Sequence, residues 1–265
     1  MAKGAGLQRA PMGRKLRPGW WLPGIGRKLP GWRWFAAAIG LAWALCLLAL
    51  GIGLLVPGVT WDGSLQPAVD ARFLSPEDLE LLQSTAANAS LPPVVLLGLA
   101  GLLSGVTMSF AVGCGEEIGW RGLVHAELRP LGFWRNALVT GGLWALWHMP
   151  LVALGYGFPV HPGLGAALLG ASCLVSSVGY AYVRERSGST LAVGLFHGAT
   201  EGALLVAVAP VSGGSELTVG MASVTWIAAD VLLVAGLLAF GRFVAGTGVN
   251  PLTGKRRQPA SVVQR

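Results

Sequence analysis

Six apolar stretches, most of them about twenty residues long, recur along the chain, and they constrain its fold more than any other feature. They lie near 35–59, 92–114, 134–154, 163–183, 190–211 and 221–241. A helix needs about 20 apolar residues to cross the ~30 Å hydrocarbon core of a bilayer. Charged residues make up only 12% of the 265 residues, about half the share usual in a soluble domain. The pattern predicts an all-α, polytopic transmembrane helix bundle of about six spans within residues 34–246.

Basic residues gather at the two ends of the chain. Eight of the 19 lysines and arginines precede Phe35 with no acid among them, and a second cluster follows residue 241. Basic flanks beside apolar spans follow the positive-inside rule and attract anionic lipid headgroups. We therefore predict a multi-pass protein of the cell membrane, with residues 1–33 and 247–265 as basic cytosolic tails. The lipid bilayer, rather than a nucleic acid, accounts for the net charge of +7.

The loops between the stretches alternate in charge. Loop 60–91 holds five acidic residues against Arg72 alone, and loops 155–162 and 212–220 contain no lysine or arginine. We predict that these three loops lie outside the cell. The loops predicted to be cytosolic carry arginines instead, namely Arg129, Arg135, Arg184 and Arg186. Six spans then place both termini in the cytosol.

Seven ionisable residues fall within or beside the apolar stretches. Charge inside a membrane span is costly, so each such residue is a functional-site hypothesis. They are Glu116, Glu117, Arg121, His148, His197, Glu201 and Asp230. The alternative for each is a structural role, such as an interfacial cluster or a polar clasp between helices.

Two adjacent glutamates differ in their expected surroundings. Glu117 and Arg121 are four residues apart, so on a helix they lie one above the other and can pair. Glu116 points about 100° away and lacks that partner. We interpret Glu116 as a reactive carboxylate and the pair of Glu117 with Arg121 as its support.

The histidines and the last acidic residue lie on later stretches. His148 stands among tryptophans, and His197 precedes Glu201 by four residues, so the latter two share a helix face. Asp230 lies midway along the final stretch. We expect it to pair with Arg121 or a histidine, or to form a simple polar clasp.

Depth along the helices brings three of these residues together. At ~1.5 Å per residue, Glu116 and His148 both lie roughly 20–24 Å from the turn at 129–132. His197 lies roughly 12 Å from the turn at 184–189. We predict that Glu116, His148 and His197 meet in one cavity on the cytosolic half of the bundle.

The polar motifs, taken in chain order, resemble those of a known family. They are Glu116-Glu117-x-x-x-Arg121-Gly, Trp144-x-x-x-His148-Met-Pro and Phe196-His197-x-x-x-Glu201. This set is similar to the CAAX-protease and bacteriocin-processing (CPBP, or Abi) family of intramembrane proteases, particularly its bacterial members. The resemblance covers about residues 93–211.

The resemblance implies an intramembrane endopeptidase that cuts a peptide or membrane-protein substrate near the cytosolic face. It implies that Glu116 activates water together with His148. His197 and the residue four later would stabilise the oxyanion, and Glu117 with Arg121 would brace the site.

The chain departs from the family at Glu201, where relatives usually have Asn and sometimes Asp. An ionised carboxylate has no hydrogen to donate to an oxyanion. We hypothesise that Glu201 is protonated and donates as an Asn side chain would. The alternative is an ionised Glu201 that orients His197 or binds a metal.

A metal ion is the alternative to a metal-free mechanism. Glu116, His148 and His197 could supply nitrogen and oxygen ligands and leave a position open for water, as catalytic zinc requires. The helix-borne HExxH motif of many zinc proteases is missing from the sequence. We therefore favour no cofactor, with zinc as the alternative.

Two other functional classes fit parts of the pattern. A non-catalytic immunity or scaffold member of the family would accommodate the departure at Glu201. A proton-coupled transporter would use the same carboxylates and histidines as relays, but the sequence shows no inverted repeat. Arginine outnumbers lysine 15 to 4, which is typical of a GC-rich bacterial genome. We therefore expect a bacteriocin-like peptide or a membrane regulator as substrate rather than a prenylated protein.

Overall fold

The computed structural model describes residues 31–70 and 74–246. The predicted tails, 1–33 and 247–265, lie outside these ranges except for residues 31–33. The described elements are, in chain order, α1 (Trp32–Gly53), β1 (Thr60–Trp61), α2 (Gln66–Asp70), α3 (Pro76–Asn88), α4 (Pro93–Val106), α5 (Met108–Glu117), a π-helix (Ile118–Val124), α6 (His125–Glu127), a 3-10 turn (Arg129–Leu131), α7 (Gly132–Ala153), α8 (Pro162–Ser187), α9 (Thr190–Val208), β2 (Val211–Ser212) and α10 (Val224–Gly246). The prediction of an all-α membrane bundle is confirmed.

Each predicted apolar stretch coincides with a helix or a pair of helices. By length and composition, four of the described helices can cross a membrane: α1, α8, α9 and α10. The number rises to five if α3 and α4, which are bent by 108° at their junction, form one broken span. The helix α7 has 22 residues but is not among the described helices that are apolar enough by this criterion. The count of six spans therefore stays a prediction.

The predicted stretch 92–114 holds two helices rather than one. The first, α4, ends at Val106, and α5 starts at Met108. Thr107 between them leaves helical geometry with φ −125° and ψ −95°. Its hydroxyl donates to the carbonyl of Leu103 over 2.7 Å. This bond satisfies a carbonyl that the interrupted helix leaves without its usual amide partner.

The centre of the bundle is α9, which packs against α1, α4, α5 and α8. Glycines on α9 recur every four residues at 194, 198 and 202, and they meet glycines or backbone of α4 and α5. A Cβ atom on Gly113 would lie 2.8 Å from the carbonyl oxygen of Gly194. Small residues let helix backbones approach closely in a membrane. We call this row of α9 glycines the glycine seam. It places His197 and Glu201 beside the C-terminal end of α5.

The loops gather at the two ends of the bundle as their charges predict. At one end β1 pairs with β2, with Thr60 opposite Ser212, and the Glu216 carboxylate accepts from the backbone N–H of His161 over 2.7 Å. At the other end the Arg184 Nε donates to the carbonyl of Arg121 over 3.1 Å. The loops predicted to share a face therefore meet. Which end faces the cytosol stays a prediction.

Candidate active site

The site begins where α5 passes into the π-helix. Glu116 and Glu117 are the last residues of α5, and Arg121 lies within the π-helix Ile118–Val124. Single π-helical turns occur often at functional sites, because the wider turn changes the direction of the side chains that follow. The C-terminal end of this segment is held against α7, because the Asn136 side-chain amide donates to the carbonyl of His125 over 2.9 Å.

One half of the site, which we call the buried side, consists of Glu117, Arg121 and Tyr180. The Arg121 Nη1 lies 3.0 Å from Glu117 Oε1, and the two side chains are 1% and 0% exposed. The Arg121 guanidinium carbon lies 5.0 Å from the centre of the Trp144 ring and 4.8 Å from that of Tyr180, within the range of cation–π attraction. The predicted pair of Glu117 with Arg121 is present, inside an aromatic enclosure.

The buried side reaches across to α9. Glu117 Oε1 also lies 3.0 Å from His197 Nδ1. Because the same carboxylate pairs with Arg121, it is an anion, and Nδ1 of His197 is the donor. The sequence predicted the first of these two bonds but not the second. Contact between Glu117 and His197 depends on how α9 is placed against α5, which no spacing within one helix can reveal.

The other half, which we call the open side, consists of Glu116, His148 and Glu201, all half-buried. Glu201 Oε1 lies 3.4 Å from His197 Nε2. One ligand atom from each of Glu116, His197 and Glu201 falls within 4.8 Å of the others. His197 thus stands between the two sides, with one ring nitrogen facing each.

Glu116 has a partner that the sequence did not predict. The indole N–H of Trp144 donates to Glu116 Oε2 over 3.0 Å. The interpretation of Glu116 as a free carboxylate therefore needs correction, because one of its oxygens is held. A buried tryptophan usually finds an acceptor for its N–H, so Trp144 in the second motif was a signal that could have been used.

His148 approaches the site through Trp144. Its Nδ1 lies 3.0 Å from the backbone carbonyl oxygen of Trp144. Because a carbonyl only accepts, Nδ1 carries a hydrogen, and Nε2 is the ring nitrogen that remains for the site. The Trp144 ring lies 5.6 Å from the His148 ring and 5.5 Å from the His197 ring. The structure thus brings Glu116, His148 and His197 around one tryptophan, as the depth argument predicted in outline.

Asp230 takes a different partner from the one we expected. It is buried on α10 and accepts a hydrogen bond from the Ser176 hydroxyl of α8. Within the described residues no hydrogen bond or ion pair links it to Arg121 or a histidine. The predicted pairing was therefore wrong, and the polar clasp between helices is what the structure shows.

The geometry allows acid–base chemistry and could also hold a metal. A half-buried carboxylate with one oxygen held, beside two imidazoles, can move a proton to or from water. Glu116, His197 and Glu201 could hold a metal ion, with oxygen, nitrogen and oxygen donors of the kind zinc accepts. The bond from His197 Nδ1 to Glu117 matches the outer carboxylate that often orients a metal-binding histidine. The set is not the predicted one, because Glu201 stands where His148 was expected.

Comparison with known proteins bears on these residues. No curated protein and no solved structure matches the chain significantly. Residues 94–203 match the family model described as type II CAAX prenyl endopeptidase Rce1-like. The matched segment contains both glutamates of α5 together with His148, His197 and Glu201. The match supports an intramembrane CAAX-type protease activity. Residues 94–203, the core of this membrane protein, therefore match the Rce1-like family of type II CAAX prenyl endopeptidases, within the CPBP family that its motifs resemble.

Proposed function

We propose that the protein is an intramembrane endopeptidase that hydrolyses a peptide bond near the cytosolic face by means of a glutamate-activated water. One observation carries the proposal. Two neighbouring glutamates lie in opposite surroundings: Glu117 is fully buried in an ion pair, whereas Glu116 is half-buried with one oxygen held by Trp144. The first is a structural carboxylate, and the second is the one available for chemistry.

Activation of water needs a base at the open side. Glu116 keeps one oxygen, Oε1, free of the bond to Trp144, and this oxygen is placed to accept a proton from water. The Nε2 of His148 is the ring nitrogen left for this role, because its Nδ1 donates to a carbonyl. We infer that the two groups share the proton of the attacking water. Both side chains are half-buried, so water can reach them without crossing the buried side.

Stabilisation of the oxyanion falls to His197 and Glu201. His197 Nδ1 is occupied by Glu117, so Nε2 faces Glu201 Oε1 at 3.4 Å, longer than an ordinary hydrogen bond. We infer that one proton lies between these two atoms, carried by Glu201 in the resting enzyme. That proton is the donor which the developing oxyanion requires. The protonated Glu201 carboxyl thus supplies the hydrogen-bond donor that the Asn amide supplies at this position in relatives.

A metal-dependent form of the same reaction is the second candidate, favoured by the grouping of Glu116, His197 and Glu201 within 4.8 Å. A bound divalent metal would polarise the peptide carbonyl and lower the barrier to hydroxide formation. We favour the metal-free form because Trp144 holds one oxygen of Glu116 and His148, which lies outside the group, can supply the second base. Metal analysis of the purified protein decides between them. Stoichiometric zinc, together with loss of cleavage on chelation, would establish the metal-dependent form.

The cytosolic location of the site rests on the loop charges. Labelling of single cysteines from either side of the membrane tests it: cysteines at the exposed positions Ser64 and Ser84 should react from outside the cell. A cysteine at the exposed position Glu127 should react only after permeabilisation. The native cysteines are buried and give little background. The reverse pattern would place the site near the outer face and would require an extracytoplasmic substrate.

Mass spectrometry of membrane peptides tests the activity itself. Cells that express the wild-type protein should contain cleavage products that are missing from cells with equal amounts of the Glu116→Gln variant. Wild-type and variant cells with identical peptide profiles would favour a non-catalytic role. The sequences of the products would also show whether a peptide, a membrane regulator or a prenylated protein is cut.

A further inference from the structure

Trp144 belongs to the second motif, but the roles proposed for the motif residues do not include it. It lies on α7, is 7% exposed, and contacts residues of both sides of the site. Its indole N–H donates to Glu116, its ring faces the Arg121 guanidinium, and its ring edge approaches His197. The first of these contacts ends on the carboxylate that the proposed function makes the base.

The bond from Trp144 to Glu116 fixes one oxygen and leaves the other. An indole N–H can only donate, so Glu116 Oε2 is always the acceptor. A hydrogen bond to a charged group is stronger than a neutral one. A carboxylate held at one oxygen loses the freedom to rotate, and its second oxygen points in a defined direction. This is the condition for a base that must meet water in one geometry.

The indole ring is itself held in place by neighbouring side chains. The Arg121 guanidinium lies 5.0 Å from its ring centre, and the Tyr180 ring lies 5.8 Å away. Arg121 in turn is fixed by its ion pair with Glu117. A chain of contacts therefore runs from the buried ion pair through the indole to the reactive carboxylate.

We propose that Trp144 is a positioning residue, whose indole N–H aims the Glu116 carboxylate at the attacking water. The assignment rests on the proposed function, since it gives Glu116 the role of base. It goes beyond that function by making the rate depend on one hydrogen bond from a residue to which the proposed function gives no chemical step.

The chain supplies a matched control in Trp43. This tryptophan lies on α1, and its Nε1 is buried with no hydrogen-bond partner within the described residues. A given replacement of Trp43 makes the same change of side-chain volume as the same replacement of Trp144, but it removes no hydrogen bond. Any effect of the lost N–H must therefore appear at Trp144 alone.

The bond can be tested without any assay of proteolysis. In protein labelled with ¹⁵N-tryptophan in nanodiscs, the indole resonances of Trp144 and Trp43 are identified from the Trp144→Phe and Trp43→Phe variants. In Glu116→Ala the Trp144 indole proton should move upfield, because it loses a charged acceptor, while the Trp43 signal stays in place. An unmoved Trp144 signal would overturn the proposal whether or not the protein is a protease.

The functional arm replaces Trp144 by 3-benzothienylalanine, in which sulfur stands for the N–H and the ring shape is kept. Cleavage of a quenched-fluorescence peptide library should then fall about 10- to 100-fold in kcat, the value of one hydrogen bond to a charged group, with KM unchanged. The same replacement at Trp43 should keep wild-type kcat. Wild-type kcat in the Trp144 benzothienyl variant, or an equal loss in the Trp43 benzothienyl variant, would overturn the proposal. If the wild-type protein cleaves nothing, the proposed function fails and the positioning role with it, while the resonance shift still decides whether the bond exists.

Discussion

The two sides of the site each contain one of two adjacent glutamates, Glu116 and Glu117, but hold it in opposite surroundings. On the buried side, Glu117 and Arg121 are 0% and 1% exposed, and each is fixed by a charged or aromatic partner. On the open side, Glu116, His148 and Glu201 are half-buried, and Glu116 keeps an oxygen free of the bond from Trp144. A glutamate on the buried side lacks access to water. The difference teaches that in a membrane bundle the carboxylate with fewer partners is the one suited to react.

His197 joins the two sides and shows how they depend on each other. Its Nδ1 belongs to the buried side through Glu117, and its Nε2 belongs to the open side through Glu201. The buried ion pair therefore sets the ring orientation that the open side uses. Damage to the buried side should lower stability first and activity as a consequence, whereas damage to the open side should lower activity alone.

The largest effect on stability is expected for Glu117→Gln. The change leaves the Arg121 charge buried without its anion, which costs about 3–5 kcal/mol. Unfolding in detergent, followed by circular dichroism, measures it. Glu80→Gln serves as the control, because Glu80 is exposed on α3 and its change should leave stability unaltered. Equal stability of the two variants would remove the distinction between the sides.

A smaller loss of stability is expected from Gly198→Ala in the glycine seam. The added methyl group would collide with the backbone of Ser109 and Phe110 on α5, and overpacking of this kind costs about 1–3 kcal/mol. Gly170→Ala on α8 is the matched control, since nothing lies within 4 Å of its added Cβ. Cleavage by Gly198→Ala should fall as well, because the seam holds His197 against Glu117. A seam variant with full stability and activity would show that the close approach does not matter.

The smallest effect is expected for Glu201→Asn. The amide restores a hydrogen-bond donor at the place where a protonated Glu201 supplies one, so turnover should change by less than about tenfold, or ~1.4 kcal/mol in the barrier. Turnover and metal content are measured on the same purified sample. Loss of turnover together with loss of a bound metal would establish Glu201 as a ligand. If the wild-type protein is inactive and the Glu201→Asn variant gains hydrolysis, the hypothesis of a non-catalytic role would be favoured.

The sequence predicted what depends on spacing within one helix. The apolar stretches gave the helices, and the four-residue spacing of Glu117 with Arg121 and of His197 with Glu201 gave both neighbour relations. These are fixed by the 3.6-residue turn of the α-helix. The gathering of Glu116, His148 and His197 could be predicted in outline, because depth follows from counting residues from the turns.

Contacts that depend on how one helix is rotated against another could not be predicted in this way. The bonds from His197 to Glu117 and from Trp144 to Glu116 join residues 80 and 28 positions apart. Asp230 faces Ser176 rather than Arg121 for the same reason. The glycines at 194, 198 and 202 on α9 were the available signal, because a stripe of small residues marks the face on which two membrane helices meet.

Two local departures from regular helix also escaped prediction. The interruption at Thr107 lies within an apolar stretch, and the π-helix Ile118–Val124 follows directly after α5. Neither has a proline at its centre, the usual cause of a break in a helix. Both adjust the position of α5, and with it the pair of glutamates.

The most direct test of the division between the two sides compares Glu116→Gln with wild type in purified, reconstituted protein. The change keeps the shape of the side chain and removes its basicity. We expect turnover to fall about 10²- to 10⁴-fold, the usual contribution of a general base, with the free energy of unfolding unchanged. Wild-type turnover in a fully folded Glu116→Gln variant would contradict the account, because the open carboxylate would then not be the base.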